Sequence, residues 1–218
     1  MEKLSPAQIE SRSMELIRQE LAQMGIVLPP ETEAVTLRVL HTTADFEYTK
    51  TLVFEGDPVA RAREALPGGV LLTDTRMALA GISRIGLQKL DAKALCLIGE
   101  KEVEERARST GGTRSEAAVE LAASRYPRGI YVVGNAPTAL LSLCTQMEQG
   151  LRPSLVIAVP VGFVHVVEAK EQILQVCRKF GIPIICARGR KGGSNVAAGI
   201  CNALLYDAAG LLEPGTRM

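Results

Sequence analysis

The stretch IYVVGNAPTALLSLCTQMEQGLRPSLVIAVP, Ile130 to Pro160, sets two short apolar runs on either side of a longer segment. The runs IYVVG (130–134) and LVIAVP (155–160) hold no charged residue, so a strand built from either has no face made for water. Between them, Asn135 and Pro137 have the chemistry of a helix start: an amide to cap it and a proline in the first turn. The helix then continues over 136–149. An apolar strand, a helix and a second apolar strand form the unit from which doubly covered parallel sheets are built.

The same pattern extends outward. VLLT (70–73), ALCLIG (94–99) and IPIICA (182–187) are further apolar runs, with helical segments around 75–82, 112–125, 167–180 and 194–209. Crossovers between parallel strands are right-handed. The sequence therefore predicts a three-layer α/β/α fold with a mainly parallel sheet of about five strands, in one domain over residues 1–218. The first part of the chain reads as helices packed alongside this body. SPAQIESRSMELIRQELAQMG starts with Ser5 as cap and Pro6 in the first turn, and Gly25 stops it. PPETEAVTLRVLHT ends near His41, and DPVARAREALPGG begins with Asp57 and Pro58.

Composition narrows the function. The chain has 218 residues and 47% hydrophobic content, enough for one substantial core. It carries 25 basic and 24 acidic residues, a net charge of +1, which leaves no electrostatic footprint for nucleic acid. Tryptophan is absent and aromatics make up 4%, so there is little surface for base stacking. MEKLSPAQIE is too polar for a signal peptide, and the apolar runs are too short to span a bilayer. Cys96, Cys144, Cys177, Cys186 and Cys201 form no CxxC pair and read as buried free thiols in a reducing cytoplasm. No Cys/His spacing fits a zinc site, so no metal is expected.

Open parallel sheets bind ligands beyond the carboxyl ends of their strands. Asp74 follows VLLT there, as a ligand position or a cap, and Asn135 follows IYVVG. After IPIICA comes GRKGGSNVAAG (189–199), a glycine-rich turn entering a helix at Ser194, with Arg188, Arg190 and Lys191 adding charge. This favours an anion, although neither the GxxxxGK[ST] nor the GxGxxG fingerprint is present. In STGGTRSEAAVE (109–120), Thr113 or Ser115 caps a helix, and Arg114 at its entrance has the fork geometry for a carboxylate. Arg38 and His41 stand three apart near a helix end and share one face. The second histidine, His165, lies in a loop with no evident partner and is left out of the site.

Seven segments, in order, give the chain a family resemblance. They are ESRSMELI (10–17), RVLHTTADFEY (38–48), LLTDTRMALAGI (71–82), GGTRSEAA (111–118), GNAPTALL (134–141), PVGFVHVVEAKE (160–171) and RGRKGGSNVAAGICNALL (188–205). With them the chain resembles the precorrin-8X methylmutases and their cobalt-precorrin-8 counterparts. The resemblance implies an isomerase of cobalamin biosynthesis, acting in the cytoplasm. Such an enzyme moves a methyl group from C11 to C12 of a tetrapyrrole-derived macrocycle, giving hydrogenobyrinic or cobyrinic acid. It implies no cofactor, and a homodimer with the substrate near the subunit interface. The family's catalytic histidine falls on His41, which would protonate a ring nitrogen of the macrocycle. Its substrate-binding positions fall on Ser13, Arg38, Thr113 and Arg114. Asn135, Arg190 and Ser194 join them from the loop argument alone. Two rival readings are a nucleotide-dependent α/β enzyme, which the missing phosphate fingerprints disfavour, and a tetrapyrrole carrier with no role for His41.

Overall fold

A computed structural model describes residues 4–217. Its centre is a six-stranded sheet of β1 (Leu52–Glu55), β2 (Val70–Thr73), β3 (Lys93–Leu95), β4 (Ile130–Val133), β5 (Leu155–Ala158) and β6 (Ile184–Ala187). The strand order is β1-β6-β5-β4-β2-β3. All neighbours are parallel except β1, which runs antiparallel to β6 with Leu52 opposite Ala187. The sheet is thus mainly parallel as predicted, but has six strands where the apolar runs indicated about five. The extra one, LVFE, is an edge strand half-buried along its whole length; its apolar run (52–54) is only three residues and ends at Glu55. The predicted 94–99 strand is shorter than its apolar run: pairing ends at Leu95, and Leu97–Gly99 turns as a 3-10 helix.

Side-chain alternation divides the sheet between two cores. Leu71, Ile130, Val132, Leu155, Ile157 and Ile185 face one layer, while Leu72, Tyr131, Val133, Val156 and Ile184 face the other. The first layer contains α1 (Pro6–Gln23), α2 (Pro30–Thr43), α4 (Pro58–Ala65), α5 (Arg76–Gly81), α6 (Arg84–Lys89) and α11 (Ser194–Ala208); a single turn, α3 (Tyr48–Thr51), leads into β1. The second contains α7 (Lys101–Thr110), α8 (Arg114–Arg125), α9 (Pro137–Glu148) and α10 (Val166–Phe180). Each Val, Leu or Ile buried this way stabilises by roughly 1.5–3 kcal/mol relative to exposure. Two helices were not predicted. In KEVEERARST (α7) only Val103 and Ala107 are buried, one turn apart; RIGLQK (α6) buries only Gly86.

Proline stands in the first turn of α1, α4 and α9 as predicted, but two of the predicted caps are absent: the N-cap of α9 is Ala136 and not Asn135, and Asp57 makes no side-chain cap at α4 because its backbone is left-handed there. Ser5 and Gln8 form a reciprocal capping box at α1, and Thr113 and Glu116 form another at α8. Helix α2 packs closely on α11. Gly199 makes this possible, because a Cβ at that position would stand 3.0 Å from the Thr42 hydroxyl. The end of α2, with His41, therefore lies directly against α11.

All five cysteines are free, and four are buried. Burial raises the thiols of Cys144, Cys186 and Cys201 to about 12, so they serve as packing groups and not as nucleophiles. No helix among the described residues is long and apolar enough to cross a membrane.

Candidate active site

His41 occupies the last turn of α2, half-buried, and its Nδ1 lies 2.8 Å from the Ser13 hydroxyl on α1. One turn back on each helix, the Arg38 Nη2 donates to Glu10 Oε1 at 2.6 Å. The predicted residues Ser13, Arg38 and His41 thus form a single cluster. Burial, reinforced by the Arg38 and Arg217 charges, holds the imidazole below its ordinary pKa, and only Glu10 opposes them. Arg38, which the family resemblance made a substrate-binding position, is not a free cation. It is committed to Glu10, its side chain is 14% exposed, and its guanidinium lies 5.3 Å over the Tyr206 ring.

A second group forms where the strand order reverses, between β2 and β4. Chain leaving β2 turns to one side of the sheet and chain leaving β4 to the other, so a crevice opens at their carboxyl ends. Asp74 fills it. Its carboxylate accepts the backbone N–H groups of Gly134 (2.9 Å), Asn135 (2.8 Å) and Ala136 (2.9 Å). Burial pushes this carboxyl above its ordinary value, against the pull of the three N–H groups. A carboxylate thus sits where a nucleotide phosphate would need those amides, a physical reason against the nucleotide reading. Asn135 contributes its backbone here, while its side chain is exposed to solvent. Next to it, Thr75 caps α5, and its hydroxyl lies 2.8 Å from that of Ser194, the first residue of α11.

The glycine-rich turn is held from both sides. Gly192 passes so close to β5 that a Cβ there would stand 2.2 Å from the Val159 carbonyl oxygen. The ammonium group of Lys170, a fully buried side chain of α10, donates to the carbonyls of Gly189 (2.9 Å) and Lys191 (2.8 Å). Burial lowers this lysine to about 8. The Lys191 side chain reaches Asp45 and Glu47, both at 2.6 Å, just past the end of α2. Lys191 is therefore a staple between the turn and the His41 region, not a free cation. Arg190 is exposed, with its guanidinium 5.5 Å from the Phe163 ring centroid.

The last predicted pair lies at the start of α8. Thr113 caps the helix, and its hydroxyl lies 3.1 Å from that of Thr138 on α9. Arg114 is exposed and makes no hydrogen bond or ion pair among the described residues, which leaves its fork available to a ligand. Asp74, read from its place beyond a strand as a ligand position or a cap, instead accepts three backbone amides, while Thr75 caps α5. Glu10, Lys170 and Arg217 were not predicted as members of the site; of these Glu10 alone had a signal, standing three before Ser13 as Arg38 stands three before His41.

Residues 8–207 match a family model described as precorrin-8X methylmutase. A cobalt-precorrin-8 methylmutase of Salmonella typhimurium is 42% identical over 179 residues, covering 81% of this chain and 82% of that protein. A precorrin-8X methylmutase of Pseudomonas aeruginosa is 35% identical over 198 residues, covering 90% and 93%. The solved precorrin-8X methyl mutase of Thermus thermophilus has the same fold, with a TM-score of 0.83 at 35% identity, covering 93% of this chain and 98% of that one.

Proposed function

Because this chain belongs to the precorrin-8X methylmutase family, and is thus a methylmutase of the isomerase class, we propose that it moves a methyl group from C11 to C12 of precorrin-8X or cobalt-precorrin-8, with His41 as proton donor. The product is hydrogenobyrinic acid or its cobalt form, cobyrinic acid, in cobalamin biosynthesis. The observation that carries this reading is the hydrogen-bonded Ser13–His41 pair beside two arginines.

Imidazolium at His41 gives its proton to a nitrogen of the macrocycle, which draws electron density out of the conjugated system. The C11 methyl then migrates with its bonding pair to C12 in a sigmatropic shift, and the nitrogen returns the proton to the imidazole. No electrons enter or leave, so the step needs no redox partner. The Ser13 hydroxyl both donates and accepts, so it holds the ring in either protonation state. In the resting enzyme burial and the arginines favour neutral imidazole. Carboxylates of the substrate arriving beside those arginines counter their charge, so proton uptake at His41 is coupled to binding.

Arg114 supplies the free fork for one of those carboxylates, with Thr113, Asn135, Arg190 and Ser194 around the same strand ends. Arg114→Ala is expected to weaken substrate binding by roughly 1.5–3 kcal/mol, and Arg114→Lys to restore only part of it, because the bidentate geometry is lost. Unchanged affinity in the alanine variant, measured by absorbance titration, removes Arg114 from the binding site.

The same reading includes a homodimer with the site near its interface. Support comes from α1, where Ile9 is 56% and Leu16 44% exposed although both lie on its apolar stripe. Light scattering at micromolar concentration is expected to give twice the 23.4 kDa chain mass, and a monomer there contradicts it. The free buried thiols fit a reducing cytoplasm. Turnover of either substrate form also separates this reading from a carrier, which binds the macrocycle and returns it unchanged.

A further inference from the structure

The match to the family model ends at residue 207, but the chain folds back beyond it. Residues 211–217, with a 3-10 turn at Pro214–Thr216, pack against α1. The Arg217 side chain is only 9% exposed. Its Nε donates to the Leu211 carbonyl at 2.7 Å and its Nη2 to the Leu212 carbonyl at 2.6 Å. The guanidinium lies 3.9 Å over the Tyr206 ring. These contacts alone would anchor the segment. Arg217 does more: its Nη1 donates to Glu10 Oε1, the same oxygen that accepts from Arg38. One carboxylate is shared by two guanidinium groups, and the three together carry a charge of +1.

We propose that Arg217 is a positioning residue for the methyl shift, holding the Glu10 carboxylate jointly with Arg38 so that α1 presents Ser13 to His41 beside a surplus cationic charge. The proposal rests on the reading of His41 as the proton donor. Glu10 and Ser13 stand one helical turn apart, as do Arg38 and His41, so the ionic cluster and the Ser–His pair are successive contacts between the same two helices. The charged groups acting on His41 are Arg38 from α2, Glu10 from α1 and Arg217 from the segment after α11. Without Arg217, Glu10 and Arg38 form a neutral pair, and the imidazolium is no longer opposed by a surplus charge. Without the Glu10 charge, both arginines act on His41 unopposed. The two changes therefore push the imidazole in opposite directions.

The chain has only two histidines, so the imidazole C–H resonances of His41 and His165 are assigned with one His41→Asn sample. In an NMR pH titration, the His41 midpoint is expected to rise in Arg217→Met, fall in Glu10→Gln and stay near the parent's in Arg217→Lys. The alkaline limb of kcat/KM for cobalt-precorrin-8 should move in the same directions. A lower melting temperature in Arg217→Met with the His41 midpoint unmoved would reduce Arg217 to an anchor for the segment and overturn the proposal. If Glu10→Gln does not fold, the Arg217→Met and Arg217→Lys pair decides alone. If His41→Asn converts substrate at the parent rate, His41 leaves the reaction and the proposal falls with it. An inactive His41→Asn together with unmoved midpoints sinks only the role of Arg217.

Discussion

His41→Ala is expected to fold, to bind the macrocycle and to turn it over roughly 10²–10⁴-fold more slowly, the range that a positioned general acid supplies. Folding should survive because the imidazole is half-buried at a helix end and its one hydrogen bond goes to a hydroxyl that water can satisfy. Binding should survive because the anion-recognising groups lie on other elements: Arg114 on α8, Arg190 before α11 and the exposed amide at Asn135. His41→Asn keeps a hydrogen-bonding side chain but has no proton to give at neutral pH, so it should be about as slow. If the imidazole were only a packing group, the pattern would invert, with an early melt and near-parent turnover in the folded fraction. Melting temperature and single-turnover rate on the same two variants separate these outcomes.

The second large effect is on stability. Asp74→Ala removes the one acceptor of three backbone N–H groups at the crevice between β2 and β4. A buried donor left without a partner costs about 1–3 kcal/mol, and three that share a site relax together, so the expected loss is about 3–5 kcal/mol. For a chain of this size that lowers the melting temperature by roughly 10 °C or more. Asp74→Asn should recover only part of this, because its amide nitrogen would face one of the N–H groups it ought to accept from. An Asp74→Ala protein that melts with the parent would mean that water or a shifted loop satisfies those amides and that the carboxylate does not hold the crevice.

What the sequence could and could not reveal follows from the range of the interactions involved. Strands β4, β5 and β6 are legible because both of their faces are buried, so IYVV, LVIA and IICA are written in apolar residues alone. The edge strand LVFE is half-solvated and pairs with a segment about 130 residues away, so its short apolar run (52–54) has no neighbouring strand in sequence to mark it as part of the sheet. Helix α7 was missed because its charges outnumber its apolar residues; pairs such as Arg108–Glu104 support it from the solvent side. The site divides in the same way. Arg38 and His41 share a helix face, which a spacing of three reveals. That Arg38 is bound to Glu10, that Asp74 closes the crevice and that Lys191 staples the glycine-rich turn to the end of α2 are contacts between distant segments. The family resemblance made Arg38 a substrate-binding position, and the glycine-rich turn offered Lys191 as charge for an anion; the fold pairs both with carboxylates. Arg114, whose partner-free fork had only a helix entrance to explain it, kept the exposure that a ligand needs.

In the proposed reaction this chain moves the methyl group and His41 supplies the proton. The most direct test is a single-turnover reaction with precorrin-8X and with cobalt-precorrin-8, each labelled in the C11 methyl, using parent and His41→Asn protein side by side and adding nothing else. The parent is expected to deliver the label to C12 of the product from at least one of the two substrates. His41→Asn, folded and bound to the same substrate, is expected to leave the label at C11 on that timescale. Label at C12 in both samples at equal rates, or at C11 in both, would contradict the proposed reaction.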